Sequence, residues 1–223
     1  EDWAYVSCGT WSLMGVERSA PVTTREAMRL NFTNERGYGG TYRFLKNIMG
    51  LWVLQEARRA WAKRGLDYDY EELTEMAREA PPFALELDID HPSFFNPDDM
   101  LDAISQYCAN TDQRMTSDPG AIARAILEGV TRRYAMTLRE LESLTGRTIR
   151  RVHMVGGGSR NTLLCQLAAD AMGVPVIAGP AECTALGNLI AQAIAAGAVE
   201  DWAAGRRLVR NITQSGLYQP RRE

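Results

Sequence analysis

Three consecutive glycines, Gly156 to Gly158, stand between a short apolar run and a helix-like segment. Residues 152–155 are rich in β-formers, and residues 162–172 carry leucines and alanines at the spacing of one buried helical face. Asn161 is a favoured residue type for an N-cap, and Gly173 stands where a left-handed residue commonly ends a helix. The pattern predicts a strand, a glycine turn and a helix.

The neighbouring segments extend this pattern into a fold class. A second apolar run at residues 174–178 is followed by a small-residue helix at about 184–196. Near the start of the chain, two β-rich runs in residues 3–16 flank Gly9 and Thr10, which predicts a hairpin. Strands, a helical middle and a final strand–helix–strand–helix unit predict an α/β layered domain with a mixed sheet flanked by helices.

Two long helices are expected in the middle of the chain. Residues 41–63 form an apolar-rich segment that we interpret as one helix, and Asn47 and Gln55 would then lie on nearly the same side of it. Two uncharged polar groups on a buried helix either bond to neighbouring backbone or line a cleft, and both interpretations stay open. A second helix is predicted from Asp118–Pro119 to Thr145, with Gly146 as its stop.

Three smaller features complete the expectations about structure. Residues 83–90 are predicted to contribute a strand. Arg132, Arg133 and Arg139 are interpreted as a solvated helix face. The chain from Gln214 onward is expected to be loose.

The glycine turn is compatible with ligand binding, because backbone without Cβ atoms lets a ligand lie against it and the helix start offers free N–H groups. A tight turn without a ligand is the alternative. A dinucleotide fingerprint fits poorly, because Arg160 and Asn161 stand where the third glycine would be needed and no acidic residue follows at the required distance. A phosphate-binding P-loop is excluded, because no Gly-Lys-Ser/Thr follows.

Composition narrows the function classes. The chain has 223 residues, a net charge of −3, 45% hydrophobic residues, four cysteines and two histidines. Slight acidity argues against a nucleic-acid-binding surface, and no apolar window predicts a membrane span. We interpret the scattered cysteines as free thiols in a reducing cytoplasm. The acidic residues at 88, 90, 98 and 99 match no calcium loop, so no metal site is expected.

Beyond these features, the sequence resembles the FGGY family of carbohydrate kinases, and within it the branch that phosphorylates L-rhamnulose. The resemblance rests on four stretches that together span nearly the whole chain. They are SCGTWSLMGVE at 7–17, NFTNERGYGGTYRFLKNIMGLWVLQE at 31–56, FFNPDDM at 94–100 and VGGGSRNTLLCQLAADAMGVPVIAGPAECTALGN at 155–188. The resemblance implies a ribonuclease-H-like lobe of the actin and hexokinase type.

The resemblance also implies site residues. Thr10 matches a threonine that meets the ATP phosphates, and Gln55 matches a further ATP-contacting position. Gly157 matches an adenosine-contacting glycine, and Asn161 a nucleotide-contacting asparagine. Asn47 matches a sugar-contacting asparagine on the cleft side.

The function implied is transfer of the ATP γ-phosphoryl group to the 1-hydroxyl of L-rhamnulose, with Mg²⁺ as the metal. In this family the general-base aspartate and a second phosphate loop precede the segment that this chain resembles. No catalytic residue is therefore expected in this chain, and activity of the chain alone is not expected. Residues 1–223 would be one C-terminal nucleotide-binding lobe with a helical insertion at 65–118, and the N-terminal sugar-binding lobe would be its partner.

Several alternatives stay open. The sugar could be that of another family member, such as a fuculokinase or xylulokinase. A catalytically silent ATP-binding module and an NAD-binding domain are the alternatives from other classes. Without its partner lobe the chain would expose apolar surface, so pairing of two copies is also expected.

Overall fold

The computed structural model describes residues 2–213 and 215–221. Its regular elements, in chain order, are β1 (Trp3–Cys8), β2 (Ser12–Arg18), α1 (Arg25–Arg29), β3 (Thr33–Arg36), β4 (Tyr42–Ile48), α2 (Trp52–Lys63), α3 (Tyr70–Glu79), α4 (Met100–Asn110), α5 (Pro119–Thr145), β5 (Arg151–Val155), α6 (Thr162–Met172), β6 (Val176–Ala178), α7 (Cys183–Ala195), α8 (Trp202–Ile212) and β7 (Gly216–Tyr218). Short 3-10 turns lie at Tyr38–Gly40, Pro92–Phe94 and Gly157–Arg160.

The strands form one mixed sheet of seven strands in the order β3-β4-β2-β1-β5-β6-β7. β1, β5 and β6 run parallel, and every other neighbouring pair in the sheet is antiparallel. The central five strands, β4-β2-β1-β5-β6, have the arrangement of a ribonuclease-H-like sheet: an antiparallel meander extended by two parallel crossovers. The predicted α/β fold with a mixed, helix-flanked sheet is confirmed.

Helix α5 agrees with its sequence prediction at both ends. The Asp118 side chain accepts a hydrogen bond from the backbone N–H of Gly120, and Gly146 ends the helix with a φ of 65°. One face of this helix supplies much of the core against the sheet and the neighbouring helices α3 and α6. The agreement reflects local chemistry, since both end signals are single residues next to the helix.

The single helix predicted for residues 41–63 is wrong. The segment divides at Gly50 into strand β4 and helix α2. β4 pairs with β2 on one side and β3 on the other, and Phe44, Leu45 and Lys46 are all buried in succession. A strand covered on both faces loses its alternation, so its apolar run cannot be told from a buried helix by periodicity.

The strand predicted for residues 83–90 is also wrong. The segment is a loop whose backbone is held by side chains: Phe83 N–H donates to Glu128 Oε2 at 2.9 Å and Glu86 N–H to Gln113 Oε1 at 2.7 Å. Leu85, Leu87 and Ile89 are nevertheless buried at alternate positions. The alternation that suggested a strand comes from packing of this loop into the core without a strand partner.

The C-terminal segment is more ordered than expected. Gln214 lies outside the described residues, but Gly216 to Tyr218 form β7, which pairs with β6 at the edge of the sheet. Arg221 then makes an ion pair with Asp170 at 2.6 Å. The expectation of a loose tail is therefore corrected for the part of the tail that the structure describes.

The basic face predicted for α5 is only partly solvated. Arg139 is exposed, but only 14% of the Arg133 side chain is exposed. The Arg133 guanidinium lies 2.9 Å from Asp90 and 3.6 Å from Glu140, and Lys46 lies 3.1 Å from the same Glu140. This half-buried network links α5 to β4 and to the loop before α4.

Neither a membrane span nor a metal cluster occurs in the described part of the chain. None of the helices there is long and apolar enough to cross a membrane. The same residues contain no group of three or more His, Cys, Asp or Glu side chains placed to hold a metal ion.

Candidate functional site

The two turns singled out in the sequence lie at one edge of the sheet. β1 and β5 are parallel neighbours, and Ser7 pairs with Val155 at their carboxyl ends. The hairpin turn (residues 9–11) follows β1, and the glycine turn (residues 156–160) follows β5. The carboxyl ends of parallel strands are where open α/β sheets bind ligands.

The hairpin turn is fixed by helix α2. Leu51 N–H donates to Gly9 O at 3.1 Å, and Trp52 N–H donates to Thr10 O at 2.9 Å. The Thr10 hydroxyl donates to the Gln55 side-chain oxygen at 3.3 Å, and Thr10 is exposed. The first turn of α2 thus holds the turn's carbonyls, while the Thr10 hydroxyl stays at the surface.

The three glycines serve different purposes. A Cβ on Gly156 would lie 2.5 Å from Cys8 O, and one on Gly158 would lie 2.2 Å from Cys8 Sγ. Gly156 also has a φ of 88°, which side chains rarely adopt. A Cβ on Gly157 would meet nothing within 4 Å, and Gly157 is exposed. The outer two glycines permit close packing on Cys8, and the middle one presents bare backbone to the outside.

Asn161 is the predicted N-cap of α6. Its Oδ1 accepts a hydrogen bond from Leu164 N–H at 2.9 Å, and its Nδ2 donates to the Thr74 hydroxyl at 3.1 Å. Both ends of the side chain therefore have protein partners in this structure. The cap fixes the direction of the helix start just beyond the glycine turn.

Asn47 and Gln55 do not share a helix face, contrary to prediction. Asn47 lies on β4 opposite Leu13 of β2, next to the carboxyl end of its strand, and is exposed. Gln55 lies on α2 beside Thr10. Because β4 and β2 are antiparallel, the end of β4 and the start of β2 meet, so Asn47 lies at the same edge of the sheet as the hairpin turn.

A pocket of about 330 Å³ lies beside the glycine turn. It is lined by Ser159, Arg160, residues 178–181, Thr213, Gly216 and Tyr218. The Ser159 hydroxyl donates to Gly156 O at 2.8 Å and lies 3.0 Å from Gly179 O, which ties the turn to the end of β6. The volume is at the lower end of the range for small-molecule sites, about 300–1,000 Å³.

Sequence reasoning missed most of this pocket. Gly179 and Pro180 directly follow β6, at the same edge of the sheet as the other turns. Their position after a predicted strand could have indicated from the sequence that they belong to the site. The contribution of Tyr218 depends on β7, a three-residue strand that follows a helix. Such a short strand has too few residues to show a period.

Buried thiol and phenol groups under the two turns stay uncharged. Burial raises the pKa of the Cys8 thiol, although hydrogen bonds from Tyr134 and Ser12 act in the opposite direction. Burial also raises the pKa of Tyr134 well above its usual value. Both groups are neutral at physiological pH, so neither of them contributes a charge to the site.

Comparison with known protein families gives one match over most of the chain. Residues 4–196 match the model described as "FGGY family of carbohydrate kinases, C-terminal domain". The Rhamnulokinase of Bacteroides thetaiotaomicron is 45% identical over 219 residues, which are 98% of this chain and 44% of that protein. The Rhamnulokinase of Bacillus subtilis is 42% identical over 221 residues, 99% of this chain and 45% of that protein.

Solved structures show the same fold at low sequence identity. Xylulose kinase from Rhodospirillum rubrum superposes with a TM-score of 0.70 at 17% identity, over 99% of this chain and 43% of that one. Plasmodium falciparum glycerol kinase with ADP superposes with a TM-score of 0.65 at 14% identity, again over 99% and 43%.

The chain spans less than half the length of the curated relatives that it matches. The segment matched is the C-terminal domain of the family model, and it includes both turns and the strands that carry them. The chain therefore belongs to the FGGY family of carbohydrate kinases, of which it carries the C-terminal domain.

Proposed function

We propose that this chain is the nucleotide-binding lobe of an ATP-dependent kinase that phosphorylates the 1-hydroxyl of L-rhamnulose. The observation that carries the proposal is the placement of the Thr10 hydroxyl and the bare backbone of Gly157 after adjacent parallel strands. One extended ligand can reach both turns at this edge. The sugar is proposed from the 40–45% identity to proteins named Rhamnulokinase.

ATP suits this edge for electrostatic reasons. The Thr10 hydroxyl can donate to a phosphate oxygen once it leaves Gln55, and hydrogen bonds to charged groups are stronger than neutral ones. The start of α6, beyond the glycine turn, has free backbone N–H groups that can donate to polar atoms of the adenosine. We place the adenosine along Gly157 and the adjoining pocket, and the phosphates toward Thr10 and Gln55.

Asn161 and Asn47 have separate proposed roles. Asn161 orients the helix start beside the nucleotide, and its direct contact with the nucleotide stays a prediction because its side-chain groups are engaged with Leu164 and Thr74. Asn47 is proposed to contact the sugar from the end of β4, where its amide is exposed.

Mg²⁺ would enter as part of the nucleotide substrate. The described residues gather no cluster of carboxylates for a cation at this edge. Magnesium in phosphoryl-transfer sites is commonly held by the substrate phosphates with one or two carboxylates. We therefore propose that the protein ligands of Mg²⁺, like the general base that deprotonates the sugar hydroxyl, come from the partner lobe.

The remaining partners and the location are proposals of the same kind. All four cysteines are free thiols, which favours a reducing cytoplasm.

Residues 1–223 are proposed to act as one lobe, with 65–118 as a helical insertion and a sugar-binding lobe as partner. Leu189, Ile212 and Leu217 are 61–70% exposed, which supports apolar contact with another lobe or a second copy. Light scattering of the chain would contradict pairing by showing monomer alone.

Two measurements test the proposal. The full-length protein should transfer phosphate from ATP to L-rhamnulose in preference to L-fuculose and D-xylulose, and preference for either of the latter would change the sugar but not the class. Calorimetric titration of the full-length protein with ATP–Mg²⁺ should show binding, with no binding of NADH. Binding of ATP without phosphorylation of any sugar would support a catalytically silent module, and absence of ATP binding would overturn the proposal.

A further inference from the structure

Beneath the hairpin turn, the buried hydroxyl of Tyr134 contacts one residue on each side of the turn. We propose that the Tyr134 hydroxyl is a positioning group for the nucleotide phosphates, because it fixes both ends of the hairpin turn that presents Thr10. This inference rests on the proposed function and adds a residue to it that no sequence motif indicated.

The contacts of Tyr134 are short and fully enclosed. The Tyr134 hydroxyl lies 2.6 Å from Ser12 Oγ and 3.3 Å from Cys8 Sγ. Tyr134 and Ser12 are 0% exposed, and Cys8 is 1% exposed. Cys8 is the last residue of β1 and Ser12 is the first residue of β2, so the two partners directly flank the hairpin turn.

The same cluster also supports the glycine turn. Cys8 Sγ occupies the space in which a side chain at Gly158 would lie, and Cys8 O lies against Gly156. Ser12 Oγ lies 2.6 Å from the position of a Cβ on Gly50, at the start of the segment that leads into α2. A shift of the phenol would therefore reach both turns and the entry to α2.

A purely packing role does not account for the hydroxyl. Phenylalanine would fill the same space without burying a polar atom, and a buried hydroxyl is costly unless it is bonded. Here the hydroxyl is bonded, and its partners belong to the two strands on either side of the exposed turn. Buried polar networks of this kind restrict a site to one geometry.

The test is the variant Tyr134→Phe in the full-length protein, with steady-state kinetics for ATP and for the sugar. We expect the KM for ATP to rise about three- to tenfold, the effect of one lost hydrogen bond, while the KM for the sugar stays unchanged. The matched control is Thr137→Val on the same helix, since the Thr137 hydroxyl is buried and has no hydrogen-bond partner among the described residues. The control should leave both KM values unchanged.

A double-mutant cycle separates positioning from general destabilisation. If Tyr134 acts through the hairpin turn, Tyr134→Phe should raise the KM for ATP much less in a Thr10→Val background than in the wild type. Equal effects in both backgrounds, or a KM for ATP unchanged by Tyr134→Phe, would overturn the inference.

Misfolding and inactivity each lead to a definite conclusion. If Tyr134→Phe does not fold, Ser12→Ala removes the partner on the other side, and an unchanged KM for ATP in that variant overturns the inference. If the wild type has no ATP-dependent activity and does not bind ATP–Mg²⁺, the proposed function falls and this inference falls with it. Wild-type activity with an unaffected Tyr134→Phe variant removes only the inference.

Discussion

The Thr10 hydroxyl donates a hydrogen bond to the side-chain oxygen of Gln55 at 3.3 Å. One residue belongs to the turn between β1 and β2, and the other to the first turns of α2. Their contact joins two positions that resemblance to the family had implicated separately. A bond of this length is weak, so the hydroxyl can exchange Gln55 for a phosphate oxygen at little cost.

Replacement of Thr10 by valine should weaken nucleotide binding without harming the fold. The substitution removes a donor to a charged group, and we expect the affinity of the full-length protein for ATP–Mg²⁺ to fall roughly ten- to hundredfold. Thr33→Val on β3 is the matched control, because Thr33 is also exposed but lies on the far edge strand. Calorimetry gives the affinities, and an equal loss in both variants would contradict the assignment of Thr10.

Valine at Gly157 and alanine at Gly156 should have opposite consequences. Gly157 has open space around its missing side chain, so Gly157→Val should preserve the melting temperature and reduce ATP affinity. Gly156 has a positive φ and would place a Cβ 2.5 Å from Cys8 O, so Gly156→Ala should unfold at lower temperature. Thermal melts with and without ATP–Mg²⁺ measure both effects. Normal nucleotide affinity in Gly157→Val would remove Gly157 from the site.

Arg133 should contribute to stability far more than its neighbour Arg139. Arg133→Met leaves Asp90 without its cation and Glu140 with Lys46 alone, and should cost about 1.5 kcal/mol of unfolding free energy, the size expected for a lost hydrogen bond to a charged group. Arg139 is exposed, and Arg139→Met should change the free energy by less than about 0.5 kcal/mol. Urea denaturation compares the two variants. Equal midpoints would mean that the network contributes nothing.

Thiol labelling should follow burial. Burial raises the pKa of Cys165 to about 12 and that of Cys8 above its usual range, so neither forms much thiolate at neutral pH. Cys183 is the most accessible of the four, but burial raises its pKa as well. Iodoacetamide at neutral pH should therefore modify Cys183 first and slowly, faster as pH rises, with the other three reacting on unfolding. Mass spectrometry showing early modification of Cys8 would contradict this order.

The Asp170–Arg221 pair should make a small contribution to stability that depends on pH. Burial alone would raise the pKa of Asp170, but hydrogen bonds from Arg221 and Gln166 outweigh it and lower the pKa. A carboxyl with a lowered pKa in the folded state stabilises the fold above its unfolded pKa, about 3.9, and loses this contribution as pH falls through the folded value. Arg221 is 68% exposed, so the effect should not exceed about 1 kcal/mol.

The variant Asp170→Asn tests this pair. Its urea midpoint should lie below that of the wild type at pH 7 and at pH 5, and the difference should shrink below about pH 4. A difference between the two midpoints that grew on acidification would contradict a lowered pKa of Asp170 in the folded protein.

Sequence reasoning succeeded where single residues carry the signal. Asp118, Gly146, Asn161 and Gly173 mark helix ends through their own backbone and side-chain chemistry, and the structure confirms each of them. It failed at β4, where burial on both faces removes the alternation that distinguishes a strand from a helix. This error placed Asn47 and Gln55 on one helix, although they lie on a strand and on the helix after it.

The parts of the site that were not predicted depend on long-range packing. The pocket beside the glycine turn needs β7 to pair with β6, and the Tyr134 cluster needs α5 to cross beneath β1 and β2. No local pattern specifies that a tyrosine in the middle of a long helix will meet a serine near the start of the chain. Such contacts follow from the order of the strands in the sheet, which cannot be predicted from local sequence patterns.

The pairing of Tyr5 with His153 has a consequence for biosynthesis. The hairpin of β1 and β2 can form as soon as it leaves the ribosome, but its parallel neighbour β5 is translated only after the whole helical middle. We expect the closure of so long a loop to be a late, slow step in folding, because pairing between residues far apart in sequence is generally slow. A nucleotide that bridges the turns after β1 and β5 would stabilise only molecules in which this closure is complete.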